Sequence, residues 1–564
     1  MTRSVTRVSE WVYSLPSVNA ASADPEAAGQ QRRAIRGWTA ALVLLCFGAL
    51  WLEFGHIDST LPYPLHVDEA FIAGPARRTV QTGTLRPYMY SYPSLPHYLA
   101  AAGMAVGFVR GAAHMEVREL RRIGEVGYPY YDTPRVMQTT RQLFAVLSMI
   151  ALAATGFSAW IAFRKPGAIL LAPLILLVSP LFFFHSWAYL NVDIVGTCFV
   201  MLTIAACLLG TRRPSIGQSA IVPAVFAGFA TGSKYTLALV ALPVLMAIGL
   251  YLTGSRRVWA CVAALATMAA AFLAVMPFSL IDIPGFLNGV AYEAFHYASG
   301  HRGSNGEPGL PQLLFYLRHL ASEFGVGGVM LSVLGVSAFA AADWRRAAVL
   351  AAFPVALLWV LASQRVHFER NVLSLQPLVA MFAALGLISL HGWALRLAAH
   401  RGWVRQTVTW RARVLAFLIL AIATVPVWHF ADLLRDRTDS RNLAHAWIEA
   451  RLQPEWTIVV PGHLNFDTRR LVKAGRHVMV VDLKAAGDTD GLNSIMAGVP
   501  APAVIMVPHW GADERYAGQE LADALNNLSQ RWRIVKTFGT NAVRVNYRPA
   551  TPRGDPAFSI AVLK

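Results

Sequence analysis

Residues 37–54 read GWTAALVLLCFGALWLEF, the first of a series of long apolar runs in this chain. Five arginines precede the run, at positions 3, 7, 32, 33 and 36, and no small-residue cleavage site follows it. This pattern predicts an uncleaved signal-anchor and not a signal peptide. Because cytoplasmic segments carry the excess of Lys and Arg, we expect the amino terminus inside and residues 55–140 outside.

The composition of the whole chain supports a membrane protein. Of 564 residues, 55% are hydrophobic and only 14% are charged. The net charge of +17 comes from short basic clusters between apolar runs, which argues against a nucleic-acid partner. The four cysteines all lie inside apolar runs, so neither a disulfide framework nor a cysteine metal site is expected.

Ten further apolar runs are predicted to cross the bilayer, which takes roughly 20 residues each. They are residues 143–163, 169–185, 192–210, 217–231, 236–253, 258–276, 324–342, 347–363, 372–390 and 414–430. Eleven crossings place every short basic connection, such as Arg164-Lys165 and Arg212-Arg213, in the cytoplasm. One more run, Leu95–Val109, is expected to lie along the membrane surface, because a crossing there would invert the downstream topology.

The chain is therefore divided into three parts. Residues 1–36 form a basic cytoplasmic tail, residues 37–430 a transmembrane domain with a large first external loop, and residues 431–564 an external domain. In the last part, strand-like runs at 457–460, 477–483, 503–507 and 541–547 alternate with polar stretches, which predicts a small α/β fold. Asp439-Ser440 is a typical helix start for residues 441–452.

Unusual polar residues gather on the external side of this topology. A charged side chain at membrane depth costs about 2.5–3.5 kcal/mol, so acidic and basic residues at span ends indicate a polar cavity or mutual pairing. Each has a purely structural reading as well: Asp193 could cap a helix, and Lys234 could reach the headgroups. The convergence of five segments on one face favours a functional site. Its candidate substrate-binding residues are Tyr92, His97, Asp193, Lys234, His296, His301, Arg365 and Arg370.

Several strings in this order resemble the GT-C class of integral-membrane glycosyltransferases, specifically the superfamily of protein O-mannosyltransferases and lipid A aminoarabinose transferases. They are HVDEAF (66–71), TGTLRPYMYSYPSLPHYLAA (82–101), SPLFFFHSWAYLNVD (179–193), GFATGSKYTLAL (228–239), EAFHYASGHRG (293–303) and HFERNVLSLQP (367–377). The resemblance implies a multi-pass protein of the plasma (inner) membrane. It also implies a polyprenyl-phosphate-linked monosaccharide donor, an inverting single displacement and Asp68 as the base.

The pair Asp68-Glu69 carries the predicted chemistry. An acceptor hydroxyl must lose its proton as it attacks the sugar, and a positioned carboxylate contributes typically about 10² to 10⁴ in rate. Adjacent residues on a helix diverge by about 100°, so Glu69 is expected to orient a group or bind a metal instead. Basic residues such as Lys234, Arg365 and Arg370 suit the phosphate leaving group. No cofactor is certain; the external histidines leave a divalent metal open, although no H-x-x-x-H pair is present.

Other readings stay open at this point. The acceptor is a glycan, a lipid or a protein, and the sugar a hexose or a pentose. The chain has Tyr92-Pro93 where aminoarabinose transferases usually carry Lys-Pro, and no sugar-binding repeat domain between its spans. A polytopic transporter is the main rival, yet no second copy of the Asp-Glu loop is visible. A non-catalytic membrane scaffold with an external binding domain is the third reading.

Overall fold

The structure is a computed structural model. It describes residues 25–64, 66, 68–124, 133–301, 304–400, 439–464, 466–482, 494, 497–500, 502–508, 532–538 and 558–563. The α-helices of the first 400 residues are α1 (Pro25–His56), α2 (Glu69–Thr82), α3 (Leu95–Ala113), α4 (Pro134–Phe163), α5 (Ala168–Leu177), α6 (Pro180–Trp187), α7 (Val192–Gly210), α8 (Val222–Thr231), α9 (Ala241–Tyr251), α10 (Gly254–Val275), α11 (Phe278–Ile281), α12 (Ile283–Ser299), α13 (Leu310–Ala342), α14 (Trp344–Ala362) and α15 (Gln376–His400). Tyr235–Val240 and Glu369–Leu375 are 3₁₀-helices.

The described residues contain seven helices long and apolar enough to cross a membrane. They lie at 29–56, 134–163, 192–210, 254–275, 310–342, 344–362 and 369–394. The expected spans at 217–231 and 236–253 are present as shorter apolar helices, Gly217–Thr231 and Tyr235–Tyr251. The expected span at 414–430 lies outside the described residues. The chain is thus a multi-pass helical membrane protein.

One predicted span is wrong in shape. Residues 169–185 were expected to cross as a single helix, but α5 and α6 meet at an angle of 77°. Ser179 has an extended backbone, and Pro180, which lacks an N–H, begins α6. The buried carboxylate of Glu323 accepts hydrogen bonds from Ser179 Oγ at 2.7 Å and Leu181 N at 2.8 Å. The Glu323 carboxylate therefore stabilises the bend, because it accepts hydrogen bonds from the residues on both sides of Pro180.

Close packing holds helices α13 and α15 together. A Cβ at Gly335 of α13 would collide with the Phe382 carbonyl of α15, and one at Gly386 would collide with the Leu331 carbonyl. Small residues allow backbones in a membrane to approach closely, where van der Waals contact replaces the hydrophobic effect. The third helix, α3, contains the run expected at the membrane surface and is not among the seven candidate spans. Its interfacial position stays a prediction.

The carboxy-terminal region contains helices α16 (Ser440–Arg451) and α17 (Thr468–Lys473) and strands β1 (Thr457–Pro461), β2 (His477–Val481), β3 (Ala503–Pro508), β4 (Trp532–Phe538) and β5 (Phe558–Leu563). The sheet order is β2-β1-β3-β5-β4; β1 is parallel to β2 and β3, and β5 is antiparallel to β3 and β4. The predicted helix and the first three predicted strands are present, and 541–547 lies outside the described residues. Asp439 caps α16 by accepting from Arg441 N at 2.9 Å.

This region contacts the loop that follows α1. Asp439 N donates to Ser59 O at 3.1 Å, and Asn442 Nδ2 donates to Leu61 O at 3.0 Å. The guanidinium of Arg441 lies 3.9 Å from the centre of the buried Tyr63 ring. The carboxy-terminal helix α16 is therefore seated directly on the segment that leads to His66 and Asp68.

Candidate functional site

Asp68 lies immediately before α2 and forms an ion pair with Arg370. Its Oδ2 is 2.8 Å from Arg370 Nη2, and the side chains are 19% and 16% exposed. Asp68 makes no side-chain capping hydrogen bond to α2, so a helix cap does not account for it. Arg370 stands near the start of the 3₁₀-helix before α15, with its guanidinium 4.2 Å from the centre of the Phe368 ring. The first loop and the last described span thus meet at one ion pair.

A second ion pair joins the first. Lys234 Nζ donates to Asp193 Oδ1 at 2.7 Å, and Asp193 Oδ2 is 3.7 Å from Arg370 Nε. Lys234 also donates to Asn371 Oδ1 at 2.9 Å. The cap of α7 is Asn191, whose side chain accepts from Ile194 N at 2.8 Å, so Asp193 is free of that structural task. Two carboxylates and two cations from four segments form one connected network.

The charges of this network fix the protonation state of Asp68. Burial alone would raise the pKa of Asp68, but Arg370, His66 and Lys234 together lower it below the ordinary value. The neighbouring His66 stacks on Tyr189 with ring centres 4.5 Å apart, and burial lowers the pKa of His66 to about 4. At neutral pH the site therefore holds an ionised Asp68 beside an uncharged imidazole.

Glu69 points into a different environment from Asp68. It is fully buried, and Arg141 of α4 donates to its two oxygens at 2.8 Å and 2.7 Å. Leu190 N donates to the same carboxylate at 3.2 Å. Arg141 is buried as well and also donates to Ile57 O and Thr60 Oγ1, each at 3.0 Å. The two adjacent acids therefore have different partners: Asp68 pairs with Arg370 in the ion-pair network, and Glu69 pairs with the buried Arg141.

The other predicted residues divide into near and distant groups. Tyr92 is partly buried close to Asp68 and Arg370, and desolvation raises the pKa of its phenol well above the usual value. The rings of His296 and His301 lie 5.1 Å apart, and His301 is 5.3 Å from Phe368, at the edge of the network. His97 is buried in α3 and belongs to no ion pair of the described residues. The Arg365 side chain is exposed, and its backbone N donates to Tyr297 O at 3.0 Å.

Three residues of the site were not among the candidates. Asn371 bridges Lys234 and Tyr297, accepting from the Tyr297 hydroxyl at 3.2 Å. Glu293 lies one helical turn before Tyr297 on α12 and faces Lys234, Arg370 and Asp68; burial raises the pKa of Glu293 to about 7. The i, i+4 spacing of Glu293 and Tyr297 within EAFHYASGHRG was the available signal. No group of three or more His, Cys, Asp or Glu suited to a metal occurs among the described side chains.

The described residues combine a bundle of apolar spans, a polar network where the first loop meets the span ends and a carboxy-terminal sheet, which is the architecture that the resemblance to the GT-C class predicts. Residues 134–281 match the family described as dolichyl-phosphate-mannose-protein mannosyltransferase. The structure of ArnT from Cupriavidus metallidurans in the apo state is 14% identical, with a TM-score of 0.50, over 93% of this chain and 98% of that chain. This likeness confirms the GT-C fold that the sequence strings resemble.

Two other solved structures are similar at a slightly lower score. ArnT from Cupriavidus metallidurans bound to undecaprenyl phosphate is 15% identical, with a TM-score of 0.49, over 93% of this chain and 98% of that chain. The apo oligosaccharyltransferase of Archaeoglobus fulgidus is 11% identical, with a TM-score of 0.49, over 90% of this chain and 75% of that chain. Among curated proteins, none matches this chain by sequence.

Proposed function

We propose that this protein transfers a monosaccharide from a polyprenyl-phosphate donor to an acceptor hydroxyl, with inversion and with Asp68 as the general base. The observation that carries the proposal is the network in which Asp68 and Asp193 share Arg370, and Lys234 completes it. The network provides the Asp68 carboxylate to accept a proton and the cations Arg370 and Lys234 to bind a phosphate. The partial match to dolichyl-phosphate-mannose-dependent enzymes supports a donor of this kind.

The donor phosphate competes with the carboxylates for the cations. A phosphodiester anion binds guanidinium and ammonium groups strongly, so Arg370 and Lys234 are its natural partners in this site. When the phosphate takes up hydrogen bonds from Arg370, Asp68 loses part of the charge that lowers its pKa. Donor binding thereby makes Asp68 a stronger base at the moment when a base is needed.

Transfer then needs one displacement. The acceptor oxygen forms a bond to the anomeric carbon, the bond from that carbon to the phosphate oxygen breaks, and the hydroxyl proton passes to Asp68. The phosphate leaves with one more negative charge, which Arg370 and Lys234 stabilise. Glu69, held by Arg141, fixes the start of α2 and so positions Asp68. Tyr92, His296 and His301 border the space for the sugar.

The proposed sidedness follows from the basic connections. The network lies at the ends of the spans opposite Arg164 and Arg212, so the positive-inside rule puts it on the extracytoplasmic face. The carboxy-terminal region, in contact with residues 59–63, lies on that same face. The amino terminus is then cytoplasmic, and the acceptor is an envelope glycan, lipid or protein reached from outside.

The substitution of Asp68 by asparagine tests its role as the general base. Purified protein in nanodiscs is supplied with polyprenyl-phosphate hexoses and pentoses and an envelope extract, and release of polyprenyl phosphate is measured. We expect Asp68→Asn to lower turnover about 10² to 10⁴-fold, with the donor still bound. Asp282→Asn is the matched control, because Asp282 is an outer-loop carboxylate paired with Arg86 at 3.0 Å. Transfer by Asp68→Asn at the wild-type rate would overturn the proposal.

A further inference from the structure

Three spans end together on the face away from the Asp68 network. Helix α7 runs from Asp193 in the network to Arg212 just beyond its last turn, a rise of about 28 Å at roughly 1.5 Å per residue. Helix α4 ends at Arg164, its C-cap residue, and α14 begins two residues before Arg346. Arg164, Arg212 and Arg346 thus form a basic cluster about one membrane thickness from the Asp68 network.

Hydrogen bonds from two of these arginines hold the three span ends together. Arg212 Nη2 donates to Ile161 O at 2.8 Å, one turn before Arg164, and its guanidinium lies 5.3 Å from the Trp160 ring centre. Arg346 Nε donates to Thr211 Oγ1 at 3.2 Å, next to Arg212 in the chain. These contacts bring Arg164, Arg212 and Arg346 close together at the ends of the three spans.

The cluster has too little negative charge for its three cations. Asp343, 3.5 Å from Arg346, is the acid paired with it among the described residues. Burial, and then the neighbouring Arg164 and Arg346, lowers the pKa of Arg212 to about 10. The Nε of Arg212 is buried and has no hydrogen-bond partner in the described part of the chain. Partly buried like charges with an unused donor are the arrangement expected of an anion site.

We propose that Arg164, Arg212 and Arg346 bind the phosphate of an anionic phospholipid in the leaflet opposite the Asp68 network. Apolar side chains beside the arginines favour a lipid over a free ion: Leu209 is 42% exposed and Trp344 is 61% exposed, at the level where aromatic residues meet headgroups. Basic pockets between spans on the cytoplasmic side recognise such headgroups by charge. The site stands independently of the glycosyl-transfer proposal.

The experiment compares lipids and variants in the full-length protein. Thermal unfolding is followed in nanodiscs of phosphatidylcholine with and without phosphatidylglycerol, and native mass spectrometry measures phosphatidylglycerol retained in detergent. We expect phosphatidylglycerol to raise the midpoint of the wild type, and Arg212→Gln to weaken its binding at least about tenfold, as loss of a charged hydrogen bond predicts. Arg213→Gln, which alters the exposed neighbour, should bind like the wild type.

Further arms keep the result interpretable. Arg164→Asn retains a residue that tolerates the left-handed conformation of Arg164 and should show the same loss if Arg212→Gln does not fold. Inorganic phosphate added to phosphatidylcholine nanodiscs tests the other source of the anion; Arg212-dependent stabilisation by it, equal to that of phosphatidylglycerol, would overturn the lipid assignment. Equal losses for Arg212→Gln and Arg213→Gln would overturn the site itself.

Discussion

The buried pair of Arg141 and Glu69 gives the sharpest test of how the two adjacent acids divide their work. Both side chains are at most 1% exposed, and their charged atoms approach to 2.7 Å. Removing one member of such a pair leaves an uncompensated buried charge and costs about 3–5 kcal/mol. We therefore expect Arg141→Met to lower the free energy of unfolding by that amount, measured by denaturant titration in detergent.

The double variant measures the interaction itself. Glu69→Gln combined with Arg141→Met should cost less than the sum of the single changes, by about 1–3 kcal/mol, because neither charge is then left alone. Arg135→Met is the matched control on the same helix. Arg135 contacts Glu116 at 2.6 Å but is 44% exposed, so its loss should cost less than about 1 kcal/mol.

The same variants report on catalysis. If Glu69 acts only through the position of Asp68, Glu69→Gln loses transfer and stability together, and conditions that restore the fold restore part of the rate. A Glu69→Gln protein with wild-type unfolding energy and wild-type donor binding, but with the rate of Asp68→Asn, would refute this reasoning. Glu69 would then take part in the chemistry directly.

Three further predictions concern donor binding and packing. Donor binding should weaken as the pH rises through about 7, because Glu293 becomes negatively charged there and faces the same cations as the donor phosphate. In a fluorescence binding titration, Glu293→Gln should remove this pH dependence. Glu307→Gln, which changes an exposed loop residue, should keep it. Glu323→Ala should cost about 1–3 kcal/mol of unfolding free energy, since the buried Ser179 hydroxyl and Leu181 amide lose their acceptor. Gly386→Ala should lower the thermal midpoint by overpacking against Leu331, and Gly392→Ala, which has open space, should not.

The sequence predicted the membrane class, most span positions and the helix at 441–452, because apolar length and helix caps are local signals. It also named the four residues that form the network, Asp68, Asp193, Lys234 and Arg370, since charges at span ends are rare enough to stand out. The fold class implied by the sequence strings is confirmed. The roles of these residues in binding and catalysis stay predictions.

What the sequence did not reveal depends on contacts between distant segments. The bend at Ser179 rests on Glu323, which is far away in the chain. Glu69 finds its partner Arg141 on a helix that begins 65 residues later at Pro134, so adjacency to Asp68 gave no sign of it. Arg365 was grouped with Arg370 because both precede the same span at a similar depth, yet the structure leaves the Arg365 side chain exposed. Local sequence patterns identify the charged residues, but the ion pairs between them depend on how distant segments pack.

Tyr63 connects the carboxy-terminal region to the Asp68 network through its hydroxyl and its backbone carbonyl. Its hydroxyl accepts from Asp467 N at 3.2 Å, while its carbonyl lies 3.5 Å from Arg141 Nη2. Arg141 in turn holds Glu69, one residue from Asp68. A movement of the carboxy-terminal region therefore reaches Asp68 through only three residues, Tyr63, Arg141 and Glu69.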